Sequence, residues 1–114
     1  MKDSAAGSDS IKVQLKKGAL ELCVLAMLSR RESYAYEISS ALAQAVGMGE
    51  STIYPLMRRM QKEGLVKSRL VETSSGPSRK YYTLTAAGRI RFEKQARDWN
   101  VFMTAVNQIL GGSL

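Results

Sequence analysis

Histidine is absent from this chain of 114 residues, and cysteine occurs once, as Cys23. Without histidine, the chain lacks the most common general base and the most common transition-metal ligand in proteins. A single cysteine forms neither an intramolecular disulfide nor a thiolate metal cluster, and its apolar neighbours favour a buried thiol over a redox sensor. The acidic residues form no paired-carboxylate pattern, and serine and cysteine have no base partner. The sequence therefore predicts no catalytic residue, no metal and no cofactor.

Long apolar segments are missing as well. No run approaches the roughly 18 apolar residues of a membrane-spanning helix, and the N-terminus lacks the apolar core of a signal peptide. Together with the scarcity of cysteine, these features predict a protein that works in the reducing cytoplasm and has no membrane partner.

Acidic residues are scarce relative to basic ones. Ten Asp and Glu stand against 17 Lys and Arg, which leaves a net charge of +7 and an isoelectric point of about 9.8. Eleven of the basic residues, but only three of the acidic ones, lie between Arg58 and Arg97. Positive charge concentrated in this way indicates a polyanionic partner, most often nucleic acid or an anionic membrane.

Three helices are predicted in the first part of the chain. Apolar residues around most of the circumference predict a central helix over residues 18–29, and a second helix follows over residues 34–46. A Gly-x-Gly turn at Gly47–Gly49 leads into a third helix, which Gly64 ends. Two helices joined by so short a turn predict a helix-turn-helix unit.

The third helix, over residues 51–63, has two different faces. One is apolar and consists of residues at helical spacing, namely Ile53, Leu56, Met57 and Met60. The other carries hydroxyl, aromatic and basic groups from Ser51, Pro55, Arg58 and Lys62, flanked by Tyr54 and Arg59. Such a face suits a DNA groove, but an ordinary amphipathic surface helix also has a polar outer face. The proline is compatible with a helix if it stands in the first turn or just beyond, where its missing N–H costs little.

A basic β-hairpin is predicted after the third helix. Residues 65–73 are typical of a strand, residues 73–78 of a turn around a Gly-Pro pair, and residues 79–84 of the returning strand. The basic residues that we expect near its tip are Arg69, Arg79 and Lys80. A helix-turn-helix followed by a basic hairpin describes a winged helix, whose wing contacts the DNA backbone or minor groove. Alternatively, the hairpin only covers a helical core and its charges are solvated.

The last element is a long helix that Thr85 can cap and that continues to about residue 110. At about 1.5 Å per residue it is nearly 40 Å long, more than the preceding domain can cover. Its apolar residues recur in steps of four and three, which is a heptad seam. The seam consists of Phe92, Ala96, Trp99, Met103, Val106 and Leu110, and is widened by Phe102 and Ile109. This pattern predicts pairing with a second chain; folding back onto the chain's own core is the alternative.

These elements together predict a mainly α fold with a small β-hairpin, namely a winged helix-turn-helix plus a long C-terminal dimerisation helix. We expect a flexible N-terminal tail over residues 1–10, because these residues are small and polar. The winged helix-turn-helix DNA-binding domain is then expected over residues 11–84, and the C-terminal dimerisation helix over residues 85–114.

The chain resembles the PadR family of bacterial transcriptional regulators, specifically its short members that end in one dimerisation helix. The resemblance depends on GALELCVLAMLSRRESYAYEIS (residues 18–39), TIYPLMRRMQKEGLV (residues 52–66) and RKYYTLTAAG (residues 79–88). It implies a homodimeric repressor that binds an inverted-repeat operator in double-stranded DNA, with the two recognition helices in successive major grooves. The residues that it assigns to DNA contact are Ser51, Thr52, Tyr54, Pro55, Arg58 and Arg59, with Arg79 and Lys80 in the wing.

Trp99 is the only tryptophan, and it falls in the final helix, where some members of that family hold a flat aromatic drug between subunits. The resemblance therefore implies a small aromatic effector that releases the DNA. The alternative is that Trp99 simply anchors the dimer interface. Neighbouring Phe92 and Met103 suit an adaptable pocket and a plain interface equally well.

Two other functions stay open from the residues alone. The chain could be a winged-helix protein-interaction module without sequence-specific DNA binding, or a binder of double-stranded RNA. Salt-dependent, sequence-selective binding to duplex DNA distinguishes the repressor from both.

Overall fold

The computed structural model describes the backbone of residues 2–111 and the side chains of residues 15–49 and 51–111. Within these residues the chain forms four helices and three strands. In chain order they are α1 (Lys2–Arg30), β1 (Ser33–Tyr34), α2 (Ala35–Val46), α3 (Glu50–Lys62), β2 (Val66–Thr73), β3 (Gly76–Leu84) and α4 (Ala86–Ile109). This is the predicted architecture, a mainly helical winged helix-turn-helix followed by a long C-terminal helix.

The hydrophobic core forms where α1, α2 and α3 meet the sheet. Its fully buried side chains come from all three helices and include Val24, Leu25, Ile38, Ile53, Met57 and Met60. Burying one such side chain contributes about 1.5–3 kcal/mol, so a polar substitution at any of these six positions would be strongly destabilising. The prediction that the first helix is central is confirmed.

The first helix is longer than the sequence pattern indicated. It begins at Lys2 instead of Gly18, because the apolar pattern that marked the helix covers only its C-terminal, core-facing half. The side chains of residues 1–14 lie outside those described. The flexible tail expected over residues 1–10 therefore stays a prediction.

A turn of residues 47–49 joins α2 to α3. Gly47 adopts φ +73°, a left-handed conformation that glycine reaches without steric cost, and its N–H donates to the Ala43 carbonyl at 3.1 Å. Met48 is buried, and Gly49 is the N-cap of α3. The turn is therefore anchored in the core, which sets the direction in which α3 leaves it.

The three strands form an antiparallel sheet in the order β1-β3-β2, and β2 and β3 make the wing. The returning strand begins at Gly76 and not at Arg79, because residues 74 and 75 alone make the turn. The pairing shifts register at Glu72, opposite the part of β3 that contains Pro77, as expected where proline cannot donate a ladder hydrogen bond. The strand β1 was not predicted, since two residues are too few for a recognisable alternation.

The start of α4 is fastened to the end of α3. Thr85 caps α4 as predicted: its Oγ1 accepts from the Gly88 N–H at 3.0 Å and donates to the Gly64 carbonyl at 2.6 Å. A Cβ at Gly88 would collide with the backbone carbonyl of Leu65, so only glycine permits this close approach. From this junction α4 packs along α1.

Candidate nucleic-acid interface

The helix α3 is held by one face and presents the other. Ile53, Met57 and Met60 are fully buried, and Leu56 is half-buried against them, as the sequence pattern predicted. On the outer side Ser51, Pro55, Arg58 and Lys62 are exposed, while Thr52 and Tyr54 are half-buried at its margins. Because the buried face is fully packed, the exposed face has a fixed orientation.

Pro55 is the sixth residue of α3, just beyond the first turn. It lacks the N–H that would bond to the carbonyl of Ser51 four residues earlier. Both residues are exposed, so this carbonyl can be satisfied by water or by a partner's donor instead of being buried unpaired. The proline is therefore compatible with the helix where the sequence predicted it.

Arg58 and Arg59 are adjacent but have different surroundings. The Nη2 of Arg59 donates to Glu21 Oε1 of α1 at 2.7 Å, and its Nη1 donates to Glu63 Oε2 at 3.0 Å. No carboxylate among the described side chains pairs with Arg58, which is exposed. Of the two arginines assigned to DNA, Arg58 is thus the more available, and Arg59 is held by α1 and by its own helix.

Glu21 is a polar junction that the sequence reasoning missed. Besides Arg59, it accepts hydrogen bonds from Arg91 Nη1 at 3.1 Å and Gln95 Nε2 at 2.6 Å, both on α4. Burial alone would raise the pKa of Glu21, but the hydrogen bonds from Arg59, Gln95 and Arg91 bring it below its usual range. The available signal was a lone carboxylate within the apolar segment of residues 18–28.

The basic residues of the wing lie along its strands and not at its tip. Arg79 pairs with Val71, and Lys80 with Leu70, so the expected position near the tip was wrong. The reason is that the turn consists of residues 74 and 75, which puts the basic residues four or five positions away. Successive residues of a strand face opposite sides, so Arg79 and Lys80 project from different faces of the wing.

Two of the wing arginines have intramolecular partners. The Arg79 guanidinium lies 4.6 Å from the centre of the Tyr34 ring, a cation–π contact. Arg69 makes two hydrogen bonds of 2.7 Å to the Glu32 carboxylate, and they hold the pKa of Glu32 below its usual range. Both contacts tie the wing to the segment around β1, whereas Lys80 is exposed.

The predicted heptad seam of α4 is half-buried at some positions and exposed at others. Phe92, Ala96, Met103 and Val106 are half-buried, and α4 packs along α1. Trp99 is 38% exposed, Phe102 62% and Ile109 85%. Other exposed apolar residues, outside the predicted seam, are Ile90 and Val101 on α4 and Leu15 on α1. The uncovered apolar surface is therefore concentrated in the second half of α4, together with Leu110.

A cavity of about 250 Å³ opens between α1 and α4. It is lined by Gly18, Leu22, Gln95, Asp98, Trp99 and Phe102. Trp99, the residue proposed from the sequence to bind an aromatic ligand, thus borders a cleft. Gln95, which lines the same cleft, also donates a hydrogen bond to Glu21.

Cys23 is half-buried against the core and not fully buried, and this burial raises the pKa of its thiol.

None of the helices in residues 2–111 has the length and apolar character that a bilayer span requires. The described side chains contain no group of three or more potential metal ligands of the His, Cys, Asp and Glu types.

Comparison with known proteins gives a consistent match. Residues 24–94 match the model of the "Transcriptional regulator PadR-like family". A PadR-like transcriptional regulator from Bacillus cereus is 41% identical, with a TM-score of 0.79 over 88% of this chain and 99% of that one. A padr family transcriptional regulator from Eggerthella lenta is 30% identical, with a TM-score of 0.83 over 96% of this chain and 97% of that one. Bacillus subtilis PadR, solved in complex with operator DNA, is 26% identical, with a TM-score of 0.62 over 68% of this chain and 45% of that one.

Proposed function

We propose that this chain, which belongs to the PadR-like family of transcriptional regulators, acts as a homodimeric repressor on an inverted-repeat operator. Membership of the family makes it a DNA-binding transcriptional regulator and not an enzyme. The observation that supports the finer proposal most strongly is the exposed outer face of α3, which the buried side chains of its inner face hold in a fixed orientation. The cytoplasmic location predicted from the sequence belongs to the same proposal, because the chromosome is there.

The outer face of α3 has the chemistry for a major groove. Ser51 and Thr52 stand at the N-terminus of the helix, where hydroxyls, backbone N–H groups and the helix dipole favour phosphate oxygens. Arg58, which pairs with no carboxylate among the described side chains, can extend to the O6 and N7 atoms of guanine. The rings of Tyr54 and Pro55 add flat, rigid surface to the same face of α3 for contact with the groove. We assign Arg59 mainly to positioning α3, since two carboxylates already bind its guanidinium.

The wing extends the same interface. Lys80 is exposed and suits a phosphate contact, which positions a protein on DNA without reading sequence. Arg79 can contribute from the opposite face of the wing, but its cation–π contact with Tyr34 has to be retained or replaced. We therefore expect Lys80 to influence affinity and Arg58 to influence sequence preference.

Dimerisation is proposed from the uncovered apolar surface of α4. Large apolar side chains in its second half, Val101, Phe102 and Ile109, and Leu110 directly after it, are mostly exposed in the single chain. Exposed apolar side chains concentrated in one region mark an interaction site in many soluble proteins. A two-fold dimer through α4 would present two copies of α3, which explains why the operator should be an inverted repeat.

The proposal also includes a small aromatic effector that binds at Trp99. Trp99 borders the cleft between α1 and α4, beside the surface proposed to bind a second subunit. A flat ligand stacked on the indole ring would alter how α4 meets its partner. Titration with flat aromatic cations should then quench Trp99 emission, whereas a purely structural tryptophan should not respond.

Selection of bound duplexes from a random DNA pool tests the repressor proposal. The expected result is an enriched inverted repeat whose half-sites lie about one helical turn, roughly 34 Å, apart. Affinity for that duplex should fall steeply with salt and exceed the affinity for random DNA. Salt-dependent binding without an enriched sequence would instead favour a protein-interaction module whose basic face meets acidic partners.

A further inference from the structure

Glu21 gives α3 and α4 a common hydrogen-bonding partner. One of its carboxylate oxygens binds Arg59 of α3, and the other binds Arg91 and Gln95 of α4. The Glu21 side chain is only 16% exposed, so water screens these interactions less than it screens surface ion pairs. A movement of α4 that displaces Arg91 and Gln95 from Glu21 therefore alters the hydrogen bond between Glu21 and Arg59.

The α4 side of this junction is open to perturbation. Gln95 lines the cleft between α1 and α4 and stands one helical turn before Trp99. Its amide hydrogen bond to Glu21 is short, at 2.6 Å. A group that enters the cleft, or a second subunit that shifts α4, can therefore displace this amide.

The α3 side of the junction lies beside the proposed DNA surface. Glu21 and Arg59 line a second cavity, of about 300 Å³, together with Thr52 and Pro55. Arg59 also bonds to Glu63, one turn further along α3. The Glu21–Arg59 hydrogen bond thus restrains α3 from the face on which Thr52 and Pro55 lie.

We propose that Glu21 is a positioning residue that couples α4 to α3: displacement of α4 at Gln95 is transmitted through the Glu21 carboxylate to Arg59 and changes the affinity of α3 for DNA. The proposal depends on DNA binding by α3, as proposed above. Coupling between two sites is reciprocal in free energy, so DNA bound at α3 must also alter the surroundings of α4. Trp99, the only tryptophan of the chain, reports on α4 directly.

The experiment follows Trp99 emission while the full-length protein is titrated with a duplex selected from the random pool. DNA binding is measured in parallel by the anisotropy of a labelled copy of that duplex. In the wild type, emission should change and saturate along the same isotherm as the anisotropy. In Glu21→Gln, which has one acceptor oxygen instead of two, DNA should still bind but the emission change should fall by at least half.

A double-mutant cycle measures the coupling itself. Gln95→Ala should change the DNA dissociation constant at least threefold in the wild-type background and cause no further change in Glu21→Gln. Gln108→Ala removes the same kind of side chain from an exposed position of α4 and should leave both readouts unchanged. If Glu21→Gln fails to fold, Gln95→Ala alone decides, because it retains the Glu21–Arg59 pair and should still reduce the emission response by at least half.

Three results would overturn the coupling. They are unchanged Trp99 emission at saturating DNA in the wild type, a full emission response in Gln95→Ala, and additive effects of Gln95→Ala and Glu21→Gln on affinity. Failure of the proposed function looks different, since anisotropy would then show no saturable binding of any duplex. If Glu21 only stabilised the fold, Glu21→Gln would lower the unfolding temperature and would leave the emission response per bound DNA intact.

Discussion

Arg58 and Arg59 have the same chemistry in different surroundings, so replacing each with alanine separates DNA contact from structural support. Arg58 is exposed and has no carboxylate partner among the described side chains, whereas Arg59 binds Glu21 and Glu63. We expect Arg58→Ala to weaken DNA binding at unchanged stability. We expect Arg59→Ala to lower stability and to cause a smaller loss of affinity.

The magnitudes follow from the two environments. A bidentate contact between arginine and guanine is worth about 1–3 kcal/mol, which corresponds to a 5- to 150-fold loss of affinity for Arg58→Ala. Loss of Arg59 removes one charged hydrogen bond from Glu21, which keeps its two donors on α4. Because the Arg59 side chain is 47% exposed, this loss is reduced by solvent screening to about 1 kcal/mol. In a domain of this size, that lowers the unfolding temperature by about 4–8 °C.

Both quantities are measured on the same samples, affinity by DNA anisotropy at fixed salt and stability by thermal unfolding followed with circular dichroism. Arg58→Lys keeps the charge but loses the planar fork, so it should retain non-specific binding and lose sequence preference. Arg97→Ala removes one exposed positive charge from α4 and controls for net charge. Equal losses of affinity in Arg58→Ala and Arg59→Ala, with no change in unfolding temperature, would refute this division of roles.

Three further predictions concern packing, assembly and acid stability. Gly88→Ala should destabilise the protein by about 2–3 kcal/mol in urea unfolding, because the new Cβ collides with the Leu65 carbonyl oxygen. Gly18→Ala, which has open space around it, should not destabilise the protein. If Gly88→Ala were as stable as the wild type, the close junction between α3 and α4 would be contradicted. Phe102→Glu should reduce the sedimentation mass from about twice 12.6 kDa to one chain, and Leu70→Glu, an equally exposed apolar residue on the wing, should not. The folded pKa of Glu21 lies below its ordinary 4.5, so its ionised form stabilises the protein above that pH and this contribution is lost as the pH falls through the folded pKa. Glu21→Gln should therefore lose less stability than the wild type between pH 7 and pH 3 in urea unfolding, and an equal loss would exclude this contribution.

Much of the fold could be predicted because its elements carry local signals. The spacing of Ile53, Met57 and Met60 identified the buried face of α3, and the capping hydroxyl of Thr85 marked the start of α4. The wing was predicted as a hairpin, but its turn was predicted over residues 73–78, whereas only residues 74 and 75 form it. A Gly-Pro pair usually marks a turn, whereas here both residues belong to β3 next to an irregular register. The two-residue strand β1 exists only because β3 offers it a partner.

The sequence predicted which residues share the outer face of α3, but it did not predict which of them have partners within the chain. A helical pattern states which residues share a face, and it put Arg58 and Arg59 near the same surface. It does not state which of them meets a carboxylate from another part of the chain. Glu21 precedes Arg59 by 38 positions and Gln95 by 74, and no local pattern connects residues so far apart.

The sequence by itself determined the class of the molecule: one basic domain with a helix-turn-helix, a wing and a long apolar helix, encoded by periodicity, caps and the placement of charge. Periodicity and capping are properties of neighbouring residues, so they can be recognised before the chain is folded. Only the tertiary structure decided that four of the six seam residues of α4 are half-buried in the single chain and that Glu21 joins α3 to α4. It also decided that Arg59 is held by two carboxylates, whereas Arg58 pairs with none among the described side chains. These outcomes depend on which distant side chains packing brings within hydrogen-bonding distance, and that distance is a property of the folded chain alone.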